Sequence, residues 1–367
     1  FLDSLRDLHS TVQHITPNYI APYRPLDKFE LFDLDIVRLS LTNENILEWN
    51  RLNLSDNDAE RLCRNHCIDL NDPSDIALIE RIRDESIAYL QEEFDFPMPK
   101  PIRNASLLEL FRIASNTNIR HRQFCACTLL KAMHIINHFD ANEARQALNV
   151  TDQQLFHKAE ARIYQTISHM MAEQLPIVEF MGGRKQRASM VTKLLSKRDP
   201  LAAQLFDKIR FRVVTATRND VMPALNFLSR NLFPFNYILP GESQNSLLSF
   251  SEFTNSHPRL RDLATQTGGS PNGNSRFSCR PENIHSSPRY KVVHWVADMP
   301  IRIDDYKNAY ITDGVNPVPR PIIYIRTEIQ ILDRKTHRQN EGGDAAHIRY
   351  KERQKASVLE KLKVRGN

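Results

Sequence analysis

Four clusters of chemically capable residues lie in the second half of this 367-residue chain. The first is GGRKQRASMVTK, from Gly182: two glycines that give the backbone room, then Arg184, Lys185 and Arg187, then Ser189 and Lys193 one turn apart on a helix. Fixed cations, a hydroxyl and free amides at a helix N-terminus are what a phosphate chain needs. The second is LFDKIRFRVV, in which Asp207 opens a strand and Arg210 and Arg212 alternate along it. A carboxylate beside cations suits Mg²⁺, which takes few protein oxygens and shares its shell with substrate phosphates. The plainer alternative is a surface salt bridge between Asp207 and a neighbouring arginine. The third is TEIQIL, with Glu328 and Gln330 on one face of a strand. Burial of Glu328 between Ile325 and Ile329 would suit it to general-base duty, whereas pairing with Arg212 would confine it to a structural role. The fourth, HRQNEGGDAAHIRYK, packs His337, Glu341, His347, Tyr350 and Lys351 into one short stretch.

The elements that must position these residues change character near Gln174. Before it, apolar residues recur at helical spacing. The sequence predicts a helix from Asp75 as N-cap, with Ile76, Ile79, Ile87 and Leu90 on one face and Pro97, Pro99 and Pro101 closing the segment. Further helices are expected through Cys63 (capped by Ser55 or Asp56), from Ser106, and from Thr151 to Gln174. The run RQFCACTLLKAMHIINHF is apolar nearly all round and reads as a buried central helix. After Gln174, PIVEFMGG, KIRFRVVTA, RYKVVHWVADMPIRI and PIIYIRTEIQIL read as strands, with helices at MVTKLLSK and DVMPALNFLSRNL. Residues 241–288, rich in Ser, Asn, Pro and Gly, read as a flexible insertion, and 349–367 as a basic C-terminal helix.

The order of the clusters resembles the synthetase domain of the RelA/SpoT proteins, which make (p)ppGpp. Lys185, Ser189 and Lys193 keep that family's spacing, as do Asp207 and Arg212; Tyr290 and His294 match its Tyr-x-x-x-His strand. From Glu328 the match runs without a gap through Gln330, His337, Glu341, Ala345, Ala346, His347, Tyr350 and Lys351. The resemblance covers roughly residues 165–352. Departures gather near the acceptor side: Gly183 stands at the family's first arginine, Ser286–Arg289 replaces Lys-Pro-Asn-Gly, Leu332 replaces an arginine, and Glu242 alone survives of an acidic loop.

The resemblance implies a pyrophosphokinase moving the β,γ-pyrophosphate of ATP to the ribose 3′-hydroxyl of GDP or GTP, with Mg²⁺ as cofactor. Asp207 and Glu328 would be catalytic and hold the metal. Arg184, Lys185, Ser189, Lys193 and Arg212 would bind ATP. Tyr290, His294, Gln330, His337, Glu341 and His347 would bind the acceptor, Tyr290 by stacking. Two alternatives are an RNA-directed pyrophosphokinase (a toxin acting on the tRNA 3′ end, with RNA or the ribosome as partner) and a silent nucleotide-binding regulator.

Charge fits a polyanionic ligand. Residues 1–150 hold 16 basic and 23 acidic side chains, the remainder 33 and 21, and all 10 glycines fall at or after Gly182. No apolar run approaches the roughly 18–20 residues of a membrane span. The five cysteines are too few and odd in number for a disulfide scaffold, and a cytoplasmic protein without a secretory leader is expected, with a few residues ahead of Phe1. Two candidate metal groups are assigned instead to packing: Cys63 and Cys67 with Cys125 and Cys127, and His134 with His138. The expected fold is α+β: an all-helical N-terminal domain (1–150) and a nucleotidyltransferase-like domain (151–367) with a mixed, mainly antiparallel sheet flanked by helices.

Overall fold

A computed structural model of the chain describes residues 20–42, 52, 54–115, 120–184, 188, 191–192, 195, 209–239, 242–266, 287, 289–309, 322–342 and 347–363. Short polar side chains set the helix starts. After α1 (Leu31–Thr42), Ser55 caps α2 (Asp56–Asn65) in a reciprocal capping box with Asp58. The cap of α3 (Pro73–Phe94) is Asp72, whose side chain accepts from the Ser74 amide at 2.8 Å ahead of Pro73 in the first turn. Asp75, expected as that cap, is instead buried in the first turn, where it accepts from the Asp69 amide at 2.7 Å and from Arg302 at 2.6 Å. The shift also turns Ile76 outward, so it leaves the predicted apolar face.

The short α4 (Lys100–Arg103) and α5 (Leu107–Ser115) lead into α6 (Arg120–Ala147) and α7 (Asp152–Ala172); a Thr151–Gln154 capping box starts α7. Expected to be buried all round, α6 is two-faced. Cys125, Leu129, Leu130 and Met133 are buried, whereas Phe124 and Phe139 are 61% and 66% exposed, with Ile135 between them on the same outward stripe. Its packed side meets α3, α4, α5 and the sheet, which leaves the opposite stripe uncovered. Cys63, Cys125 and Cys127 are buried thiols, and Cys67 is largely buried.

The described strands form one sheet in the order β1-β2-β5-β4-β3: β1 (Ile177–Arg184), β2 (Ile209–Thr215), β3 (Gln244–Asn245), β4 (Val293–Arg302) and β5 (Ile322–Asp333). All pairings are antiparallel except β2 with β5, so the sheet is mixed, as expected. Along β5, Ile323, Ile325, Ile329 and Ile331 enter the core, while Tyr324, Arg326, Glu328 and Gln330 alternate to the opposite face. At Gly182 the chain approaches its neighbours so closely that a Cβ would lie 2.7 Å from the Phe211 ring and 2.9 Å from the Tyr164 hydroxyl, whereas a Cβ at Gly183 would meet open space. Phe180 and Phe211 stack beside this point at 5.6 Å.

Packed into the core beneath the sheet or against its strands are α8 (Val221–Asn231), α9 (Phe250–Ser256), α10 (Pro258–Gln266) and α11 (Arg334–Glu341), and the described chain ends in α12 (His347–Lys363). The segment expected to be a flexible insertion is therefore ordered over 242–266: it holds β3 and two helices, anchored by Leu260 and Leu263 in the core. Residues 267–286 of that segment, and most of the predicted helix MVTKLLSK, lie outside the described residues. Among the described residues no helix is long and apolar enough to cross a membrane.

Two apolar cores result. One lies under the sheet with α7, α8 and α10; the other joins α2, α3, α5 and α6. The two faces of α1 serve both: Leu34, Val37 and Leu41 enter the first, Phe32, Ile36 and Leu39 the second. Between them Asp33, fully buried, accepts from Arg230, from Arg24 at 2.7 Å, from Asn226 at 3.0 Å and from the Glu30 amide at 3.0 Å. Arg230 also reaches Asp58 at 3.3 Å. A second guanidinium, Arg162, donates to the carbonyls of Pro300, Asn65 and Asn231 and ties β4 to the ends of α2 and α8.

Two stability measurements follow from these contacts. Arg230→Ala takes one of two arginines from buried Asp33 and also the partner of Asp58, and is expected to cost about 3–5 kcal/mol by chemical denaturation. Gly182→Ala overpacks the Phe211–Tyr164 contact and should cost about 1–3 kcal/mol, while Gly183→Ala leaves the denaturation midpoint nearly unchanged.

Candidate functional site

The parallel register of β2 with β5 sets Arg210 opposite Glu328 and Arg212 opposite Gln330. The antiparallel register of β4 sets His294 opposite Gln330 and Val296 opposite Glu328. Three strands thus present their polar side chains on one face. Arg212 donates from Nε to Gln330 Oε1 at 3.0 Å, and the Gln330 amide donates to Glu328 Oε1 at 3.2 Å. His294 Nε2 lies 3.2 Å from the same carboxylate oxygen, off the line of a hydrogen bond. A second donor from Arg212, Nη1, reaches Glu341 of α11 at 2.9 Å. Glu328 is buried, 7% exposed, whereas Glu341 is 51% exposed, so the inner end of this chain is shielded from water and its outer end is not.

Tyr290 joins the group from the turn that leads into β4. Burial pushes its hydroxyl pKa up; Arg212 and Arg210 oppose that push, and the charges of Glu328 and Glu341 reinforce it. The ring therefore sits within the field of the same four charged groups. Asn340, 2% exposed, fixes the backbone beside it: its side chain accepts from the Lys291 amide at 3.1 Å and donates to the Lys291 carbonyl at 2.7 Å. Ser246 adds a second tie, donating to the Tyr290 carbonyl at 3.2 Å and accepting from the Val292 amide at 3.0 Å.

Of the residues singled out in the sequence, Arg212, Tyr290, His294, Glu328, Gln330 and Glu341 come together. The alternative pairing of Glu328 with Arg212 is not made; Gln330 stands between them. His337, one turn before Glu341 on α11, pairs with Glu179 of β1 at 3.3 Å rather than with this cluster. Arg184 ends β1 opposite Ile209, and His347 opens α12. Lys185, Ser189, Lys193 and Asp207 lie outside the described residues.

The structure adds residues that the motifs do not contain. Further along the same face, Arg326 holds Asp298 at 3.1 Å and approaches Glu242 at 3.6 Å, continuing the polar strip beyond Glu328. Asn340 and Glu179 belong to no spacing pattern; for Asn340 only its place beside Glu341 hints at a role.

Chemically, the group offers a shielded carboxylate, a guanidinium whose outer partner is solvent-facing, an aromatic face and an imidazole. An exposed ion pair such as Arg212–Glu341 is worth little, so an incoming phosphate can replace the carboxylate at small expense.

No family model and no curated protein matches the chain. Among solved structures it is similar to the small alarmone synthetase 1 from Bacillus subtilis, at 14% identity and a TM-score of 0.30, over 59% of this chain and 95% of that one. It is also similar to the same synthetase bound to its product pppGpp, at 15% identity and a TM-score of 0.28, over 61% and 93%. At these scores the likeness bears no weight on the site, whose reading rests on its own residues.

The clamp on the Tyr290 turn is directly testable. Asn340→Ala leaves a buried amide and carbonyl at Lys291 unpaired, and about 1–3 kcal/mol of stability should be lost in chemical denaturation.

Proposed function

We propose that this chain is an ATP-dependent pyrophosphokinase that transfers the β,γ-pyrophosphate of ATP to the ribose 3′-hydroxyl of GDP or GTP, giving a (p)ppGpp-type nucleotide. The observation that supports the reading is the continuous polar chain Arg212–Gln330–Glu328–His294 laid across β2, β5 and β4, with Tyr290 in its field. The phosphate-binding order Lys185, Ser189, Lys193 and Asp207 stands upstream in the sequence.

In this reading the acceptor base stacks on Tyr290, with His294 beside the nucleotide. Glu328 takes the proton as the 3′-oxygen forms its bond to the β-phosphorus of ATP; the bond from that phosphorus to the α,β-bridging oxygen breaks, and AMP leaves. The hydrogen bond from Gln330 orients the Glu328 carboxylate for that proton. Arg212 gives up Glu341 and neutralises phosphate oxygens, and Arg184, Lys185, Ser189 and Lys193 hold the rest of the triphosphate. Phosphoryl-type transfer asks mainly for such positioning and charge neutralisation.

The donor set fits Mg²⁺: Glu328 and Asp207 are both carboxylates, the hard oxygen ligands this ion prefers. When bound, the ion supplies charge neutralisation at the phosphate oxygens.

Labelled ATP with Mg²⁺ and, separately, GDP, GTP, ATP and tRNA tests the proposal. Label on GDP or GTP is expected. Label on tRNA alone moves the acceptor to an RNA 3′ end, and binding without transfer to any acceptor makes the chain a silent regulator. Glu328→Gln should cut kcat by about 10²–10⁴-fold with the fold intact, and Asp207→Asn should abolish transfer. Tyr290→Ala should raise the acceptor KM more than it lowers kcat; an unchanged KM overturns the stacking role.

A further inference from the structure

Away from the site, three histidine rings pack against Tyr237 where the helical layer meets the sheet. His134 stacks on Tyr237 at 4.9 Å, and His66 and His138 meet it edge-on at 4.7 and 5.1 Å. His134 and His138 touch each other at 4.4 Å. His138 also stacks on Tyr324 of β5 at 4.2 Å with planes 14° apart, and Asn137 of α6 hydrogen-bonds the Tyr324 hydroxyl. The Tyr237 and Tyr324 hydroxyls are 3.0 Å apart. Tyr324 stands four residues from Glu328, on the same strand and the same face.

We propose that His66, His134 and His138 form a proton-sensitive latch between the helical layer and β4–β5, closed while the rings are neutral and released as they take up protons. Two observations select neutral rings at His134 and His138 in the closed state. His134 Nδ1 and His138 Nε2 are buried with no hydrogen-bond partner, so a proton there finds no acceptor. The rings also face one another, where their charges would repel.

On α6, Lys131 disfavours charge on His134. On β4, Asp298 lies 3.8 Å from His138 Nδ1 and favours a proton there, while Arg326 of β5 opposes it. Arg162 of α7 disfavours charge on His66. His66 Nδ1 meets the Leu62 carbonyl at 2.6 Å and Nε2 lies 3.0 Å from Asn236 Oδ1 in the turn before β3; both oxygens favour a proton on the ring, and burial outweighs them. Cys67, next to His66, is a buried thiol whose pKa burial raises, and Tyr237 is likewise held neutral by burial and by Tyr324.

Burial is the largest influence on each ring and depresses all three; His66 falls from 6.5 to about 4. A histidine whose closed-state value lies below its open-state value takes up protons on opening. Closure is therefore fully favoured above pH 6.5 and is lost as the pH falls toward 4. At pH 5.5, His66 alone shifts the balance toward opening by about tenfold, and His134 shifts it in the same direction.

Amide hydrogen exchange of the full chain, with exchange times scaled for the intrinsic pH dependence, reads the latch without any nucleotide. Between pH 7.5 and 5.5, peptides from 128–140 and 322–326 are expected to exchange more than about tenfold faster, while those from β2 and 329–333 barely change. His134→Gln combined with His138→Gln should shrink this regional difference to the about tenfold that His66 alone supplies, and Tyr237→Phe should preserve it. If the double variant does not fold, His66→Gln is expected to shrink the difference by about tenfold. Uniform loss of protection, no loss at all, or a regional difference unchanged by the substitutions overturns the latch. Loss of pyrophosphate transfer leaves this readout untouched, so the two proposals fail separately.

Discussion

The parallel pairing of β2 with β5 is the constraint on which the site depends. It alone sets the two arginines of β2 level with Glu328 and Gln330, and a slip of one residue would turn every one of these side chains to the opposite face. A parallel pair cannot be closed by a hairpin; its connection must leave the sheet and return. Here that connection contains α8, α9, α10, β3 and β4, so much of the domain is the linker that brings two polar strands together. The core on the other side of the sheet supplies the energy that fixes the register: Ile329 and Ile331 enter it only in the alignment that gathers the polar face.

The same economy appears in the helical layer. A single helix, α1, lends one face to each core, and the buried carboxylate of Asp33 is met by two arginines, an asparagine and a backbone amide. Complete satisfaction is what makes such burial tolerable, since an unmatched charge there is far more damaging than a neutral side chain would be. The helical layer and the sheet are consequently knitted by directional contacts, Arg230 at one end and Arg162 at another, rather than by apolar surface alone.

What the sequence made legible was whatever has a local period or a fixed spacing. Thr151 and Ser55 announce their helices because capping is a four-residue interaction, and β5 is visible because six of its first ten residues are β-branched. The site was legible for the same reason: Glu328 and Gln330 must share a face if the segment is a strand. Partnerships between distant segments were not. Asp75 has the composition of a cap, yet Arg302, 227 residues away, draws it inward. The apolar run of α6 contains no sign of which stripe would find neighbours, and the Ser- and Asn-rich stretch after Gly241 hid two short helices whose Phe253, Leu260 and Leu263 are anchored by a core formed elsewhere. Asn340, which holds the Tyr290 turn, has its effect only through that turn's backbone, and no spacing rule reports such a contact.

The strand order carries a consequence for biogenesis. Domains fold as they emerge, N-terminal parts first. The strand at the middle of the sheet is β5, yet it is the last of the described strands to be synthesised. The β1–β2 pair and β4 must wait for it with one edge each unpaired, and the second core waits as well, because Ile322 and Tyr324 close it. Arrival of a single twelve-residue segment completes the sheet, the helical core and the polar face in one event. A nascent chain therefore holds no half-built polar face, and the exposed edges of β2 and β4 make that interval the one in which it most needs protection from aggregation.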